Sequence, residues 1–448
     1  MDNALLLDFY ELTMAQSYFL YKRNTSATFD LFVRGLPPNR SYLVAAGLED
    51  ILGYLRNLRF SKDDLGYLKK QKIFSQDFLK YLSNFKFRGD IWAMPEGEVF
   101  FANEPVLRVT ANIIEAQIVE SCLLNTFNLQ SMVASKAARV VVAAQGRPVY
   151  DFALRRTHGA GAGVKGARSS YLAGASGTSC VLAGKLYSVP ITGTMAHSFV
   201  MTFKNELESF LAYAETFPQK TILLVDTYNT AAGIENAITI GLLLREKGFK
   251  LQGIRLDSGD LAALSKLARV KLNRAGLAEV KIYATGNLDE FKIKKLLEKE
   301  ACIDSFGVGT NMGTSIDAPC LDVVYKLSEV TDENSKFIPV MKLSKAKTTF
   351  PGRKQVFRVR GKQGKFLRDI LALEGENIGG KPLLKKVISC GRMIYHSPSL
   401  EKTRDFVKEN LFRFPSGLLD IYGTYNYPVA ISPGLRRLKL NLSRAMRS

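Results

Sequence analysis

Two stretches near the start, residues 28–34 (TFDLFVR) and 91–110 (IWAMPEGEVFFANEPVLRVT), alternate apolar and polar positions and break at Pro-Glu-Gly and Asn-Glu-Pro. That is the pattern of strands joined by turns. Residues 42–58 and 74–84 between them repeat their apolar positions at helical spacing, and a longer helical stretch over about 115–145 closes a first α/β region, residues 1–145. From Pro148 to about Tyr325 the pattern changes to short apolar runs followed by amphipathic helices: VYDFAL, YSVPITGT, TILLVDTY, LQGIRLDS, VKIYATGN and IDSFGVGT, with a weaker run near 178–183. Helices are predicted over 229–247 and 288–300. Repeated strand-then-helix units imply parallel strands with crossover helices. The predicted fold is an irregular α/β barrel over residues 146–335, packed with the N-terminal α/β domain and a small C-terminal region, 336–448, of short strands, Gly-rich turns and a helix near 399–410.

Composition changes this picture in one respect. The 448 residues hold 62 Lys and Arg against 42 Asp and Glu, a formal charge of +20. Residues 351–448 alone contain 20 basic and 7 acidic side chains, net +13, so the excess is regional. A basic end region suits a polyanion or an anionic surface, but no helix-turn-helix, zinc-finger, RRM or KH pattern accompanies it, and a solvated basic face is the simpler expectation. Five scattered Cys (122, 180, 302, 320, 390) form no C-x-x-C pair, which argues against a zinc ribbon and a disulfide framework. Asp2 and Asp8 stand where a signal peptide carries basic residues, and no run approaches 18 apolar residues, so a soluble cytoplasmic protein is expected.

The candidate chemistry lies at the ends of the apolar runs. Arg155 and Arg156 follow VYDFAL, Gly193-Thr194 and His197 follow YSVPI, and Asp226-Thr227 end TILLV. Arg255 and Asp257-Ser258-Gly259-Asp260 end LQGI, Gly286-Asn287 end VKIYAT, and Gly307-Val308-Gly309-Thr310 follow Phe306. In an α/β barrel the C-terminal strand ends form one face, where active sites are built. Taken singly the motifs are ambiguous. Residues 255–260 read equally as a helix cap or as an anion site beside a Mg²⁺-bridged diphosphate. Gly307-x-Gly309-Thr310 reads as an ordinary turn or as backbone amides facing phosphate. His197, one of three His, is a packed residue or an acid, base or nucleophile, while His158, in a Gly-Ala-rich loop, and His396 lack such company. By periodicity alone Tyr10 reads as a core aromatic.

Together, in order, these motifs resemble the nicotinate phosphoribosyltransferase family. The resemblance runs through DFYELTMAQ (8–16), EGEVFFANEPVLRV (96–109), DFALRRTHGAGAGVKGAR (151–168), GTSCVLAGKLYSVPITGTMAHSFV (177–200), VDTYNTAAGIENAI (225–238), IRLDSGDL (254–261), GVGT (307–310) and PGRKQVFR (351–358). It implies transfer of phosphoribosyl from 5-phosphoribosyl 1-pyrophosphate to nicotinate in NAD synthesis, ATP as co-substrate through a phosphohistidine, Mg²⁺ held mainly by the substrate's pyrophosphate, and a homodimer with shared sites. Carried over by position, Tyr10 stacks on the ring from the partner subunit and Phe152 from the other side. Arg155, Ser179, Thr194 and Arg255 contact the substrate, with Arg255 facing the carboxylate. Asp257 lies near the ribose, Gly286, Asn287, Gly309 and Thr310 bind phosphate, and His197 is the phosphoacceptor. Cys180 departs from the family's usual Asn. The alternatives are a nicotinamide-using relative, or an inactive barrel acting as a polyanion-binding scaffold.

Overall fold

The computed structural model describes residues 4–344 and 349–446. The chain forms two compact units, one made of the residues up to Met132 together with those from Cys320 onward, the other of Val133–Pro319. The division falls inside the helix Glu120–Ala143. Among the described residues no helix is long and apolar enough to cross a membrane.

The contiguous unit carries a curled sheet of six parallel strands. In spatial order they are Gly177–Thr178, Val149–Asp151, Ser305–Val308, Lys281–Ala284, Gly253–Leu256 and Ile222–Leu224. All four residues of Ser305–Val308 are buried, as a strand covered on both faces requires, and this is why the strands read as apolar runs. The crossover helices begin on polar caps. Asn229 Oδ1 accepts from Ala232 N at 3.0 Å ahead of Thr230–Glu246, and Asp289 Oδ1 accepts from Lys292 N at 2.8 Å ahead of Glu290–Glu298.

Three expectations need correction here. The run YSVPITGT forms no strand, only an isolated bridge from Ile191 to Thr178; Pro190 has no N–H to give to a ladder. The weak run at 178–183 becomes the helix Val181–Tyr187 after a strand that ends at Thr178. The Gly-Ala-rich stretch after His158 is the helix Ala160–Leu172, with Gly163 so close to its surroundings that a Cβ there would lie 2.6 Å from Leu154.

The other unit is built on a seven-stranded sheet in which Ser26–Val33 lies between Pro105–Asn112 and Val323–Thr331, antiparallel to both. A second sheet pairs Lys354–Arg360 with Phe366–Leu373. Part of the basic excess of the C-terminal third is internal to this unit. Arg358, 1% exposed, reaches Glu98 at 2.5 Å and Asp369 at 2.6 Å, and Lys354 reaches Asp30 at 2.7 Å. Removing one partner of such a buried pair leaves an uncompensated charge and costs about 3–5 kcal/mol.

Glu11 has no such partner. On the helix Phe9–Tyr21 it is fully buried, its Oε1 accepts from Ser121 N at 3.0 Å, and its Oε2 has no hydrogen-bond partner. Burial pushes its carboxyl up to about 8, the Ser121 contacts opposing the rise. The folded state therefore holds this proton where the unfolded chain has released it, and stability falls as pH rises from the ordinary carboxylate range through about 8. Glu11→Gln should match the parent near pH 5 and melt about 3 °C or more above it at pH 8.5. Parallel melting-temperature profiles for the two proteins would contradict this.

Candidate active site

The site is assembled on the C-terminal ends of the parallel strands. Gly253–Leu256 presents Arg255, whose Nη1 donates to Thr194 Oγ1 at 2.5 Å, while its Nε is buried without a protein acceptor. Burial lowers the guanidinium pKa, opposed by Asp257 and Asp226, but Arg keeps its charge at any working pH. A cation fixed by one hydroxyl, with an N–H left over, suits an incoming carboxylate.

His197 opens the short helix His197–Met201 and is held at both edges. Nδ1 lies 3.1 Å from Thr227 Oγ1 and Nε2 lies 3.8 Å from Asp257 Oδ2, with 41% of the side chain exposed. Asp257 is itself fixed on two sides. Its N–H donates to Asp226 Oδ2 at 3.0 Å, and Thr285 Oγ1 donates to its Oδ1. Ser258 Oγ donates to the same Asp226 oxygen at 2.6 Å, leaving Asp226 Oδ1 buried and unpartnered. The motif Arg255–Asp260 thus divides its labour. Asp260 caps the helix Leu261–Arg274, accepting from Ala262 N and Ala263 N, whereas Arg255 and Asp257 face the site.

Two glycine loops border this cluster. Gly286 has φ +94° and Asn287 φ +51°, and a Cβ on Gly286 would lie 1.9 Å from the Asp257 carbonyl oxygen. At the neighbouring strand end a Cβ on Gly307 would lie 2.5 Å from the Phe152 ring, so the glycine makes room for the aromatic. Phe152 N donates to Val308 O at 2.9 Å, and the Phe152 carbonyl oxygen would lie 3.2 Å from a Cβ on Gly309.

The remaining strand ends are tied through Asp151. Its carbonyl accepts from Ser179 N at 2.8 Å, and its carboxylate accepts from Thr178 Oγ1 at 2.7 Å and Ala153 N at 3.0 Å. Burial raises the Asp151 carboxyl pKa against these donors. Cys180 is 1% exposed and packs with Val164, Ala167, Ala183 and Tyr187; an amide side chain in that cluster would need a polar partner. Arg155 is exposed on the turn Leu154–Arg156, and its charge acts on Arg255.

The structure therefore pairs Thr194 with Arg255 and His197 with Asp257, sets Gly286 against the Asp257 carbonyl, and gathers Phe152, Ser179 and Gly309 around Asp151 and Gly307. Tyr10 belongs to the other unit, 44% exposed in the first turn of its helix, not a core residue. His158 and His396 are exposed. Sequence reasoning assigned no role to Asp226, Thr227 or Thr285. Their signal was available, since each is a carboxylate or hydroxyl directly after an apolar strand run. Among the described residues no three of His, Cys, Asp and Glu are grouped to hold a metal ion. The chain offers the carboxylates of Asp226, which takes the Asp257 N–H and keeps one oxygen unpartnered, and of Asp257. That set fits a divalent ion carried mostly by ligand oxygens and water, not a protein cage.

Residues 5–128 match the nicotinate phosphoribosyltransferase N-terminal domain, 148–369 the nicotinate phosphoribosyltransferase family, and 377–439 the nicotinate phosphoribosyltransferase C-terminal domain. A nicotinate phosphoribosyltransferase of Mycobacterium tuberculosis is 47% identical over 96% of this chain and 92% of its own. One from Bacillus subtilis is 36% identical over 96% of this chain and 94% of its own. The crystal structure of human nicotinic acid phosphoribosyltransferase superposes with a TM-score of 0.85 at 28% identity, covering 98% of this chain and all of that one.

Proposed function

Because the chain belongs to the nicotinate phosphoribosyltransferase family, we propose that Arg255 and its strand-end neighbours join nicotinate to the phosphoribosyl group of 5-phosphoribosyl 1-pyrophosphate, with ATP hydrolysis coupled through His197. The protein is an enzyme of NAD biosynthesis. The observation that carries the reading is Arg255, braced on Thr194 with a free Nε–H, in the same cluster as His197 and Asp257. The nicotinate ring nitrogen bonds to ribose C1 as the C1–O bond to pyrophosphate breaks and pyrophosphate leaves. Arg255 receives the nicotinate carboxylate, and Phe152 supports one ring face. Asp257 faces the positive charge that develops on the ribose, and the loop amides at Gly286-Asn287 and Gly309-Thr310 take phosphate oxygens. Arg155 and Ser179 line the ring and phosphate region. Mg²⁺ neutralises the leaving diphosphate when bound with it.

In the ATP half of the cycle a His197 ring nitrogen takes the γ-phosphoryl group and ADP departs. The phosphohistidine is then hydrolysed, releasing phosphate. Tyr10, exposed on its helix, is free to stack on the ring of a second subunit in a homodimer.

The test is base selectivity. The purified protein, given 5-phosphoribosyl 1-pyrophosphate, Mg²⁺, ATP and either base, should turn over nicotinate at least about tenfold faster than nicotinamide, the amide leaving Arg255 without its counter-charge. Equal or faster turnover of nicotinamide reverses the assignment. Salt-dependent nucleic-acid binding with no turnover of either base supports the scaffold alternative.

A further inference from the structure

We propose that Asn311 is a positioning residue that locks the two glycine loops together and thereby sets affinity for 5-phosphoribosyl 1-pyrophosphate; the inference rests on the substrate reading above. Asn311 directly follows Gly309-Thr310 and is 6% exposed. Its Nδ2 reaches across to the other loop, 3.2 Å from Asn287 O, 3.2 Å from Leu288 O and 3.4 Å from Asp289 Oδ2. One side-chain amide thus holds the backbone of 287–288 against the strand end that bears Gly309.

The held loop needs such a hold. Gly286 and Asn287 take left-handed φ in succession, a conformation that persists only where surrounding contacts enforce it. Lys292 Nζ adds a second donor to Asn287 O at 2.7 Å, but the Leu288 carbonyl takes its side-chain hydrogen bond from Asn311 alone. In a trans peptide C=O and N–H point in opposite directions. Drawing the Asn287 and Leu288 carbonyls onto Asn311 therefore turns the N–H groups of Leu288 and Asp289 the other way. Those two N–H groups, with those of Gly286 and Asn287, donate to no acceptor among the described residues. Four successive free amides are what phosphate oxygens require. Asn311 touches none of the reacting atoms and acts through this loop.

The test uses the full-length enzyme and two substitutions. Asn311→Asp keeps the shape but replaces the donating Nδ2 with an oxygen facing carbonyls, and Asn311→Ala simply removes the hold. For both, calorimetric Kd and steady-state KM for 5-phosphoribosyl 1-pyrophosphate should rise about tenfold or more, with nicotinate KM within about twofold of the parent, and Asn311→Ala should keep the melting temperature within about 2 °C. An unchanged phosphoribosyl affinity in both variants overturns the proposal. So does a uniform loss for both substrates that tracks a fall in melting temperature, since that marks a purely structural residue. A parent protein that binds no 5-phosphoribosyl 1-pyrophosphate refutes the substrate reading itself, a result visible before any variant is made, and the proposal falls with it.

Discussion

Gly286→Ala should lower kcat/KM by about 100-fold or more. An added Cβ would stand 1.9 Å from the Asp257 carbonyl oxygen, a distance no pair of non-bonded atoms tolerates, so one of the two backbones must retreat by more than 1 Å. At φ +94° a side chain also brings strain of about 1–3 kcal/mol. Either retreat disturbs chemistry. If the Asp257 segment moves, its contacts with Thr285 and His197 are lost together; if Gly286 moves, the loop amides shift. Displacements of about 1 Å at reacting groups cost on the order of 10²-fold. Steady-state kinetics with 5-phosphoribosyl 1-pyrophosphate varied will show the effect. Activity within threefold of the parent would mean that the close approach to Asp257 has no bearing on turnover.

His197→Ala should abolish covalent labelling by γ-³²P-ATP and remove the rate advantage that ATP gives, while slower ATP-independent transfer persists. The expectation follows from position. Of the three histidines, this one has a ring held between a hydroxyl and a carboxylate, whereas the other two are exposed and outside the cluster. Thr227 and Asp257 orient the imidazole. The same Asp257 faces the ribose in the proposed transfer, so phosphorylating His197 introduces a dianion next to the carboxylate that attends the sugar. Such a juxtaposition would let ATP, acting through His197 as proposed, alter substrate affinity at a fixed backbone. Acid-labile label retained on the Ala variant would move the phosphoacceptor elsewhere.

How much of this was legible in the sequence depends on whether the determinant is local. Parallel strands buried on both faces write themselves as apolar runs, so Gly253–Leu256, Lys281–Ala284 and Ser305–Val308 lie where the pattern put them. YSVPITGT has the same composition and fails because a missing N–H at Pro190 outweighs β-propensity. The helix Ala160–Leu172 was hidden because a run of glycines and alanines gives periodicity little to register. The motif of residues 255–260 was read as either cap or anion site; Asp260 makes the cap, while the Arg255 and Asp257 side chains turn instead to Thr194, Thr285 and His197, a distinction set by which way each side chain points. Phe152 and Tyr10 gained roles only from family resemblance. Asn311 acts through a partner 23 residues away, and no local rule marks it. Nor does any local rule turn Arg358, one of many cations near the end of the chain, into a fully buried ion-pair centre that joins Glu98, 260 residues earlier.

The placing of Ser26–Val33 between Pro105–Asn112 and Val323–Thr331 has a consequence in time. Thr28 and its partner Glu329 are 301 residues apart. A ribosome adding about 5–20 residues per second needs roughly 15–60 s to make the second after the first. Through that interval the first strand is paired on one side at most and shows a row of open amide and carbonyl groups to any passing chain, a state in which strand edges recruit wrong partners. Val133–Pro319 emerges during the same interval and can close its own parallel sheet without waiting. The newborn protein thus acquires its chemistry-bearing half before the half that carries Tyr10, and its final event is the return of the C-terminal third to a strand made at the outset.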